Sequence, residues 1–288
     1  MRILVTGVKG QLGYDCVREL KSRGYNDILG IDKEDLDITN EEDVIKFISE
    51  YKPDVVMHNA AWTAVDKAEE FKDACYAVNA LGTKYIAEAC KLINAKMIYI
   101  STDYVFDGEG DKFFEVTDAK NGLSTYGKSK SIGEDFVTSI LNNYFIIRIS
   151  WVFGVNGNNF IKTMIKLADL GKEELNVVCD QIGSPTYTYD LAKLMCDMMV
   201  TDKYGIYHAT NEGICSWAEF ASYIFEIINK PIKVNFVTTE EYMKLVPNQA
   251  KRPLNSRMSK ESLRLNGFDY LPHWKDAVIR FIKEELNR

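Results

Sequence analysis

The chain has 288 residues, of which 46% are hydrophobic, so it can bury a substantial core in one large or two unequal domains. Its net charge is −7 and its basic residues form no long run, which argues against general nucleic-acid binding. The sequence has no charged-then-apolar leader and no apolar run near ~18 residues, so we expect a cytoplasmic protein that neither is secreted nor enters a membrane.

The chain begins with a short apolar strand, predicted at residues 3–6, that leads into a glycine-rich turn and a helix. Gly7, Gly10 and Gly13 stand at the join. Glycines there allow a tight turn and a close approach of the backbone to a pyrophosphate, while the helix N-terminus attracts negative charge. The spacing is G-x-x-G-x-x-G, and no ATP-type phosphate loop is present. We therefore predict a dinucleotide site.

A second strand is predicted at residues 27–31 and ends in Asp32, about twenty residues beyond the turn. A carboxylate at that place can bind the hydroxyls of the adenosine ribose. Lys33 follows it and could tolerate a 2′-phosphate. The pair favours NADH without excluding NADPH.

Further strands are predicted at residues 54–58, 97–101 and 144–149, and helical segments alternate with them. This alternation predicts an α/β fold with a Rossmann-type doubly wound parallel sheet. Thr39 and Glu42 predict a capping box before the second helix, and residues 66–92 predict one long helical region.

After Trp151 the composition changes, with predicted loops at residues 154–158 and 182–186 and a polar, proline-containing segment at residues 246–256. We interpret residues 1–150 as an NAD(P)-binding domain and residues 151–288 as a smaller C-terminal substrate-binding lobe. We expect this lobe to be discontinuous, with the chain crossing back to the first domain.

The six cysteines and three histidines are scattered, and the chain has no C-x-x-C pair. We interpret the cysteines as reduced residues that pack in the interior. Neither the cysteines nor the histidines are spaced like the ligands of a metal cluster. The cysteines are Cys16, Cys75, Cys90, Cys179, Cys196 and Cys215.

Three further residues indicate redox chemistry. Tyr126 and Lys130 are four apart on a predicted helix, so the phenol and the ammonium can converge on one point. A free phenol titrates near ~10, and a neighbouring cation favours its ionised form, which makes Tyr126 a usable proton donor near neutral pH. Thr102 follows the fourth strand, and its hydroxyl could hold a substrate carbonyl. Together they predict carbonyl reduction.

These motifs resemble the extended short-chain dehydrogenase/reductase family, in particular its reductases of nucleotide-linked 4-keto sugars. The resemblance runs nearly end to end and is carried by residues 7–13, 59–69, 101–106, 126–130, 148–153, 183–186 and 251–256. Small departures are Trp62, where an aromatic residue or histidine is usual, and Ser184, where a small residue is usual.

The resemblance implies roles for individual residues. For the adenosine half of the cofactor it places Asp32 at the ribose and Asp37 and Ile38 at the adenine. It places Gly10, Gln11 and Leu12 at the pyrophosphate, and Ala61, Trp62 and Thr63 along the middle of the cofactor. Ile100 lies under the nicotinamide. Around the substrate it places Thr102, Asp103 and Trp151 against the sugar, Val65 at its border, and Arg252, Asn255 and Ser256 at the nucleotide end. Thr102, Tyr126 and Lys130 form the implied catalytic triad, and Lys130 also bonds the nicotinamide ribose.

The implied reaction is reduction of the C4 ketone of dTDP-4-dehydro-L-rhamnose by NADPH or NADH, which gives dTDP-L-rhamnose for surface polysaccharide. A dehydratase is disfavoured because Tyr104, not glutamate, follows Asp103. A sugar-nucleotide epimerase and a noncatalytic nucleotide-binding regulatory subunit remain alternatives. Cofactor preference, the exact 6-deoxy sugar and the choice between monomer and homodimer stay open. Some relatives are associated with a divalent ion such as Mg²⁺, for which the sequence indicates no ligands.

Overall fold

The computed structural model describes residues 1–247 and 249–288. Its strands, in chain order, are β1 (Ile3–Thr6), β2 (Ile28–Ile31), β3 (Val55–His58), β4 (Lys96–Thr102), β5 (Tyr144–Ile149), β6 (Val152–Phe153), β7 (Glu174–Val178), β8 (Ile182–Gly183), β9 (Thr186–Tyr187), β10 (Gly205–His208), β11 (Asn211–Glu212), β12 (Cys215–Ser216), β13 (Lys233–Val237), β14 (Asn255–Ser256) and β15 (Leu271–His273).

The α-helices are α1 (Gln11–Ser22), α2 (Glu41–Tyr51), α3 (Val65–Glu70), α4 (Lys72–Tyr76), α5 (Thr83–Ile93), α6 (Thr125–Ile140), α7 (Phe160–Asp169), α8 (Thr188–Met199), α9 (Trp217–Ile227), α10 (Thr239–Leu245), α11 (Glu261–Leu265) and α12 (Trp274–Arg280). Two π-helical turns, Ala77–Gly82 and Phe281–Glu285, and one 3₁₀ turn, Asp103–Val105, complete the regular structure.

A six-stranded, entirely parallel sheet in the order β10-β5-β4-β3-β1-β2 forms the centre of the protein. The strand order reverses at β1, which lies between β2 and β3, and such a switch point opens a crevice at the carboxyl ends of the strands. The predicted doubly wound fold is confirmed. The predicted strand bounds agree with the observed ones to within one residue.

Helices cover both faces of this sheet because each of them has one apolar side. On one face, Cys16 and Leu20 of α1 and Leu191 and Met195 of α8 pack on the strands. On the other face, α2, α5 and α6 supply Val44, Ile86, Val137 and their neighbours. Strands that are buried on both faces read as continuous apolar runs, which is why β1 and β3 are fully buried along their length.

A third apolar core lies in the C-terminal part of the chain and is rich in aromatic rings. Phe153, Phe220, Trp274 and Phe281 are at its centre, and α7, α9 and α12 surround it. β10 belongs to this part of the chain in sequence, but it pairs with β5 at the edge of the central sheet. The elements here are short, because most strands after β7 have only two residues.

Three local predictions require comment. The capping box at Thr39 and Glu42 is wrong: Asn40 caps α2 by accepting a hydrogen bond from the Asp43 N–H at 3.3 Å, while the Thr39 hydroxyl donates to Asp37. The predicted long helical region at residues 66–92 consists of three α-helices and a π-helical turn. The predicted loop at 182–186 contains the short strand β8 and the first residue of β9.

All six cysteines have free thiols, as predicted, and only Cys179 is not fully buried. Among the described residues, no helix is both long enough and apolar enough to cross a membrane.

Candidate active site

A cleft of about 1030 Å³ opens where the carboxyl ends of β1, β3, β4 and β5 converge. Every residue predicted to bind the cofactor lines this cleft, as do the predicted substrate residues Val65, Thr102, Asp103 and Trp151. Arg252, Asn255 and Ser256 are not part of its lining. The fold therefore places the predicted cofactor-binding and catalytic residues in one cleft, while the three residues of the C-terminal motif lie outside its lining.

The glycine turn at the start of α1 has no room for side chains. Gly7 has a φ of +70°, and a Cβ atom on it would lie 2.9 Å from the backbone nitrogen of Ala60. A Cβ atom on Gly13 would lie 2.2 Å from the carbonyl oxygen of Gly7. Gly10, at the N-cap of α1, supplies no capping side chain. The turn thus leaves helix N–H groups facing the cleft, which suits a pyrophosphate.

Asp32 lies at the end of β2, beside the turn. Its two carboxylate oxygens accept hydrogen bonds from the backbone N–H groups of Lys9, at 2.9 Å, and Lys33, at 2.8 Å. The ammonium of Lys9 pairs with Glu34 at 2.9 Å. Asp32 therefore fastens the glycine turn to β2 while it faces the cleft.

Thr102 and Tyr126 approach each other from two elements. Thr102 is the last residue of β4, and its hydroxyl donates to Asp103 Oδ1 at 2.9 Å. Tyr126 lies in the first turn of α6, where the Ser124 hydroxyl caps the helix by accepting from the Gly127 N–H at 3.1 Å. A Cβ atom on Gly127 would lie 2.1 Å from the Tyr104 carbonyl oxygen, so glycine at this position lets α6 begin directly against the segment after β4.

Lys130 lies one turn further along α6, and its side chain is almost completely buried, with 3% of the residue exposed. Its ammonium lies 4.1 Å from the centre of the Tyr99 ring. Burial lowers the pKa of Lys130 to about 7, and the nearby Glu134 carboxylate opposes this shift. Such a perturbed amine inside a cleft is typical of a functional site.

The phenol of Tyr126 behaves differently from the sequence prediction. Burial raises its pKa above the ordinary value, and the Thr102 hydroxyl offsets only part of the rise. The pKa is therefore raised and not lowered as predicted, because desolvation outweighs the opposing hydrogen bond with Thr102. A phenol with a raised pKa stays protonated, so Tyr126 retains the proton that a reduction needs.

Asn79 is a residue that the sequence analysis missed. It lies in the π-helical turn after α4, is buried, and accepts from the Trp62 N–H at 2.8 Å. Its amide also donates to Ser129 Oγ at 3.0 Å, on the helix that carries Tyr126 and Lys130. Asn79 thus joins the segment that lines the middle of the cleft to α6. No pattern in the sequence marks a π-helical turn, so nothing distinguished this asparagine.

In the segment at residues 246–256, of which residue 248 lies outside the described part of the chain, Arg252, Asn255 and Ser256 make polar contacts with the rest of the protein. Arg252 pairs with Asp66 at 2.8 Å and donates to Gln249 Oε1 at 3.1 Å. Ser256 donates to Asp103 Oδ2 at 2.5 Å, and burial raises the pKa of Asp103 to about 6. Asn255 donates to the Lys112 carbonyl oxygen at 2.8 Å. The substrate roles of Arg252, Asn255 and Ser256 remain predictions.

Two other features bear on ligands. Within residues 1–247 and 249–288, no group of three or more His, Cys, Asp or Glu side chains is arranged to hold a metal ion. Trp217, which the sequence analysis did not single out, lines the cleft and stacks on Trp151. Nothing in the sequence brings it there, because it lies 66 positions beyond Trp151 at the start of α9.

The whole chain is similar to known sugar-nucleotide enzymes. Residues 1–287 match the family model described as the RmlD substrate binding domain. The chain is 42% identical to a dTDP-4-dehydrorhamnose reductase from Aggregatibacter actinomycetemcomitans, over 88% of this chain and 89% of that protein. It is 40% identical to the spore coat polysaccharide biosynthesis protein SpsK from Bacillus subtilis (strain 168), over 98% of this chain and 97% of that protein.

Two solved structures have nearly the same fold. A dTDP-4-dehydrorhamnose reductase from Clostridium acetobutylicum ATCC 824 superimposes with a TM-score of 0.95 at 44% identity and covers 100% of both chains. One from Bacillus anthracis str. Ames, in complex with NADP, has a TM-score of 0.93 at 44% identity, over 98% of this chain and 99% of that chain. The resemblance inferred from the sequence motifs is confirmed.

Proposed function

The chain belongs to the RmlD substrate binding domain family, and from that premise we propose that it is an NAD(P)H-dependent oxidoreductase that reduces the C4 ketone of dTDP-4-dehydro-L-rhamnose to dTDP-L-rhamnose. The product serves surface polysaccharide biosynthesis. The observation that carries the proposal is the meeting of Thr102, Tyr126 and Lys130 in the same cleft as the glycine turn.

The cleft suits a nicotinamide dinucleotide. The glycine turn has the close-approach geometry that a pyrophosphate requires, and Asp32 lies at the edge where the adenosine ribose would rest. Ile100, Tyr126 and Lys130 lie at the opposite end, where the nicotinamide half would be held. NAD(P)H supplies the hydride for the substrate carbon.

Residues of the protein bind and protonate the C4 carbonyl oxygen of the substrate. For the reaction the Thr102 hydroxyl turns from Asp103 Oδ1 toward the C4 carbonyl oxygen, so that it and the Tyr126 hydroxyl both donate to that oxygen and stabilise the negative charge that develops when the carbon receives the hydride. Tyr126 gives its proton to this oxygen, which completes the alcohol and leaves a phenolate. Lys130, in its protonated form, stabilises that phenolate and orients the nicotinamide ribose.

Asp103 and Trp151 form the sugar end of the cleft in this proposal, with Val65 at its border. Asp103 is held by Thr102 and Ser256, so its position is coupled to that of the catalytic hydroxyl. Arg252 would serve the nucleotide end if it exchanged its contact with Asp66 for a phosphate oxygen, since its guanidinium can bind a phosphate through two parallel bonds.

The test is a cofactor-oxidation assay with a panel of nucleotide-linked 4-keto-6-deoxy sugars, each with NADH and with NADPH, followed by NMR identification of the sugar product. We expect oxidation of the reduced nicotinamide in step with formation of dTDP-L-rhamnose. A protein that never consumes added cofactor but interconverts two sugar epimers would be an epimerase instead. Absence of any turnover would support the regulatory-subunit alternative and overturn the proposal.

A further inference from the structure

Trp151 has an unusual backbone. Its φ of +50° places it in the left-handed region, which residues other than glycine, asparagine and aspartate rarely adopt. A bulky residue persists in such a conformation only when its surroundings hold it there, and conformations of this kind cluster at ligand-binding sites. Trp151 lines the cleft, so the question is what holds it.

Hydrogen bonds hold the backbone on both sides of the indole. The Ser150 hydroxyl donates to the Ser184 carbonyl oxygen at 2.8 Å, and the Thr186 hydroxyl donates to the Ser150 carbonyl oxygen at 2.7 Å. The Thr186 N–H donates to the carbonyl oxygen of Trp151 itself at 3.2 Å. These contacts fix the backbone of the residue but leave its side-chain torsions free.

The side chain is fixed by Trp217. The two indoles are stacked with their centroids 3.9 Å apart and their planes 18° from parallel. The six-membered ring of Trp151 also lies on Gly183, where a Cβ atom would be only 3.0 Å from Cε2 and Cζ2. Trp151 therefore lies in a slot that Trp217 and Gly183 define.

Trp217 is itself well anchored. It is the first residue of α9, directly after Ser216, which forms a reciprocal capping box with Glu219. The Phe160 ring at the start of α7 packs on it with a centroid separation of 4.7 Å. Because Trp217 packs on the C-terminal aromatic core, its stack with Trp151 fixes the Trp151 indole at the sugar end of the cleft.

We propose that Trp217 is a positioning residue for the sugar, because it holds the Trp151 indole so that the part left uncovered by Trp217 and Gly183 forms an apolar wall against the methyl group of the 6-deoxyhexose. The inference rests on the proposed function and deepens it, since it assigns the residue that sets the sugar pocket. A 6-deoxy sugar has an apolar C6 methyl group in place of a hydroxyl, and an aromatic wall suits such a surface.

The experiment compares three variants with the wild-type enzyme. Trp217→Ala removes the support, Trp217→Phe keeps an aromatic ring, and Trp274→Phe is the matched control because Trp274 is buried in the same core but does not line the cleft. For each variant we would measure KM for the sugar nucleotide, kcat, and the Kd of NADPH by titration. The stacked pair is followed separately by its exciton-coupled circular dichroism signal.

We expect Trp217→Ala to raise the sugar-nucleotide KM on the order of tenfold while the Kd of NADPH stays within about twofold and the exciton signal disappears. Trp217→Phe should recover most of the KM, and Trp274→Phe should keep both the KM and the exciton signal. If Trp217→Ala loses the signal but keeps its KM, or if Trp274→Phe raises the KM equally, the inference is overturned. A wild-type enzyme without turnover is a different result, since it refutes the proposed function itself.

Discussion

Tyr126 is the residue at which the proposed chemistry can be tested most directly. Its burial keeps the phenol protonated, and the Thr102 hydroxyl lies beside it to share the carbonyl oxygen. Tyr126→Phe removes only the proton donor, so we expect kcat to fall by about 10²- to 10⁴-fold, the usual range for loss of a general acid, with the Kd of NADPH unchanged. Stopped-flow or steady-state cofactor oxidation measures this directly.

A neighbouring phenol provides the matched control. The rings of Tyr104 and Tyr126 meet edge to face with their centroids 5.5 Å apart, so Tyr104→Phe disturbs the same region without removing the proposed donor. Tyr104→Phe should retain kcat within a few-fold. Equal losses in the two variants would mean that packing, not proton transfer, explains the effect of Tyr126→Phe.

Asp32 connects cofactor preference to the geometry of the glycine turn. A carboxylate near the adenosine ribose accepts hydrogen bonds from its hydroxyls and repels a 2′-phosphate. Asp32→Ala should therefore weaken NADH binding more than NADPH binding, because only NADPH gains from the loss of repulsion. Fluorescence titration of both cofactors measures the two Kd values.

The other contacts of Asp32 offer a second explanation for any loss of cofactor affinity. Its oxygens also accept from the N–H groups of Lys9 and Lys33, so the substitution removes support from the turn as well. Asp32→Asn keeps one acceptor for these N–H groups and serves as the intermediate case. An identical loss of affinity for both cofactors would show that Asp32 supports the turn and does not read the ribose.

Among the secondary-structure elements, the attachment of α6 to the sheet determines where Tyr126 and Lys130 stand. Arg148 of β5 makes a bidentate pair with Glu134 of α6, with hydrogen bonds of 2.9 and 2.8 Å, and both side chains are buried. Arg148 also donates to the Val116 carbonyl oxygen at 3.1 Å. The pair therefore ties α6 both to the sheet and to the segment that follows β4.

Removing Arg148 leaves the buried Glu134 carboxylate without its bidentate partner and with only the ammonium of Lys120 nearby, at 3.5 Å. We expect Arg148→Met to lower the free energy of unfolding by about 3–5 kcal/mol, as measured by urea denaturation. The double variant Arg148→Met/Glu134→Leu should recover much of this loss, since it leaves no uncompensated charge. A double variant no more stable than the single one would show that the hydrogen bonds to the surrounding backbone, and not the ion pair, stabilise this region.

An element could be predicted from the sequence when residues close together in the chain determine it. The parallel strands were predicted well because apolar runs between helical patterns identify them. The start of α2 was predicted one residue too early, because Thr39 and Asn40 are both good capping residues and only the contact between Thr39 and Asp37 decides between them.

For the whole molecule, the sequence predicted the fold class and the residues that line the cleft, because the family motifs follow the strand ends that build it. It could not predict that Arg252 would pair with Asp66 or that Trp217 would stack on Trp151. Those contacts join positions far apart in the chain, and no periodic pattern relates residues at such separations.

Asp15 links the stability of the whole molecule to pH. It lies on α1, is fully buried, and accepts from the Thr188 hydroxyl of α8 at 2.5 Å, while its Oδ1 has no hydrogen-bond partner among the described residues. Burial raises its pKa from 3.8 to about 6. The folded protein therefore binds this proton more tightly than the unfolded chain does, and the contribution of Asp15 to stability is lost as the pH rises through this window.

The shift corresponds to about 2–3 kcal/mol of unfolding free energy between about pH 4 and about pH 7. Asp15→Asn, which cannot ionise, should remove this slope: its free energy of unfolding should be close to that of the wild type near pH 4 and higher near pH 7. The attraction of Arg18, which lies 3.8 Å from the carboxylate, is already contained in this shift, because it opposes the rise in pKa that burial causes. Glu50→Gln, an exposed carboxylate on α2, is the control and should keep the wild-type slope. Urea denaturation at both pH values decides the matter, and an Asp15→Asn protein with an unchanged slope would assign the pH dependence to other groups.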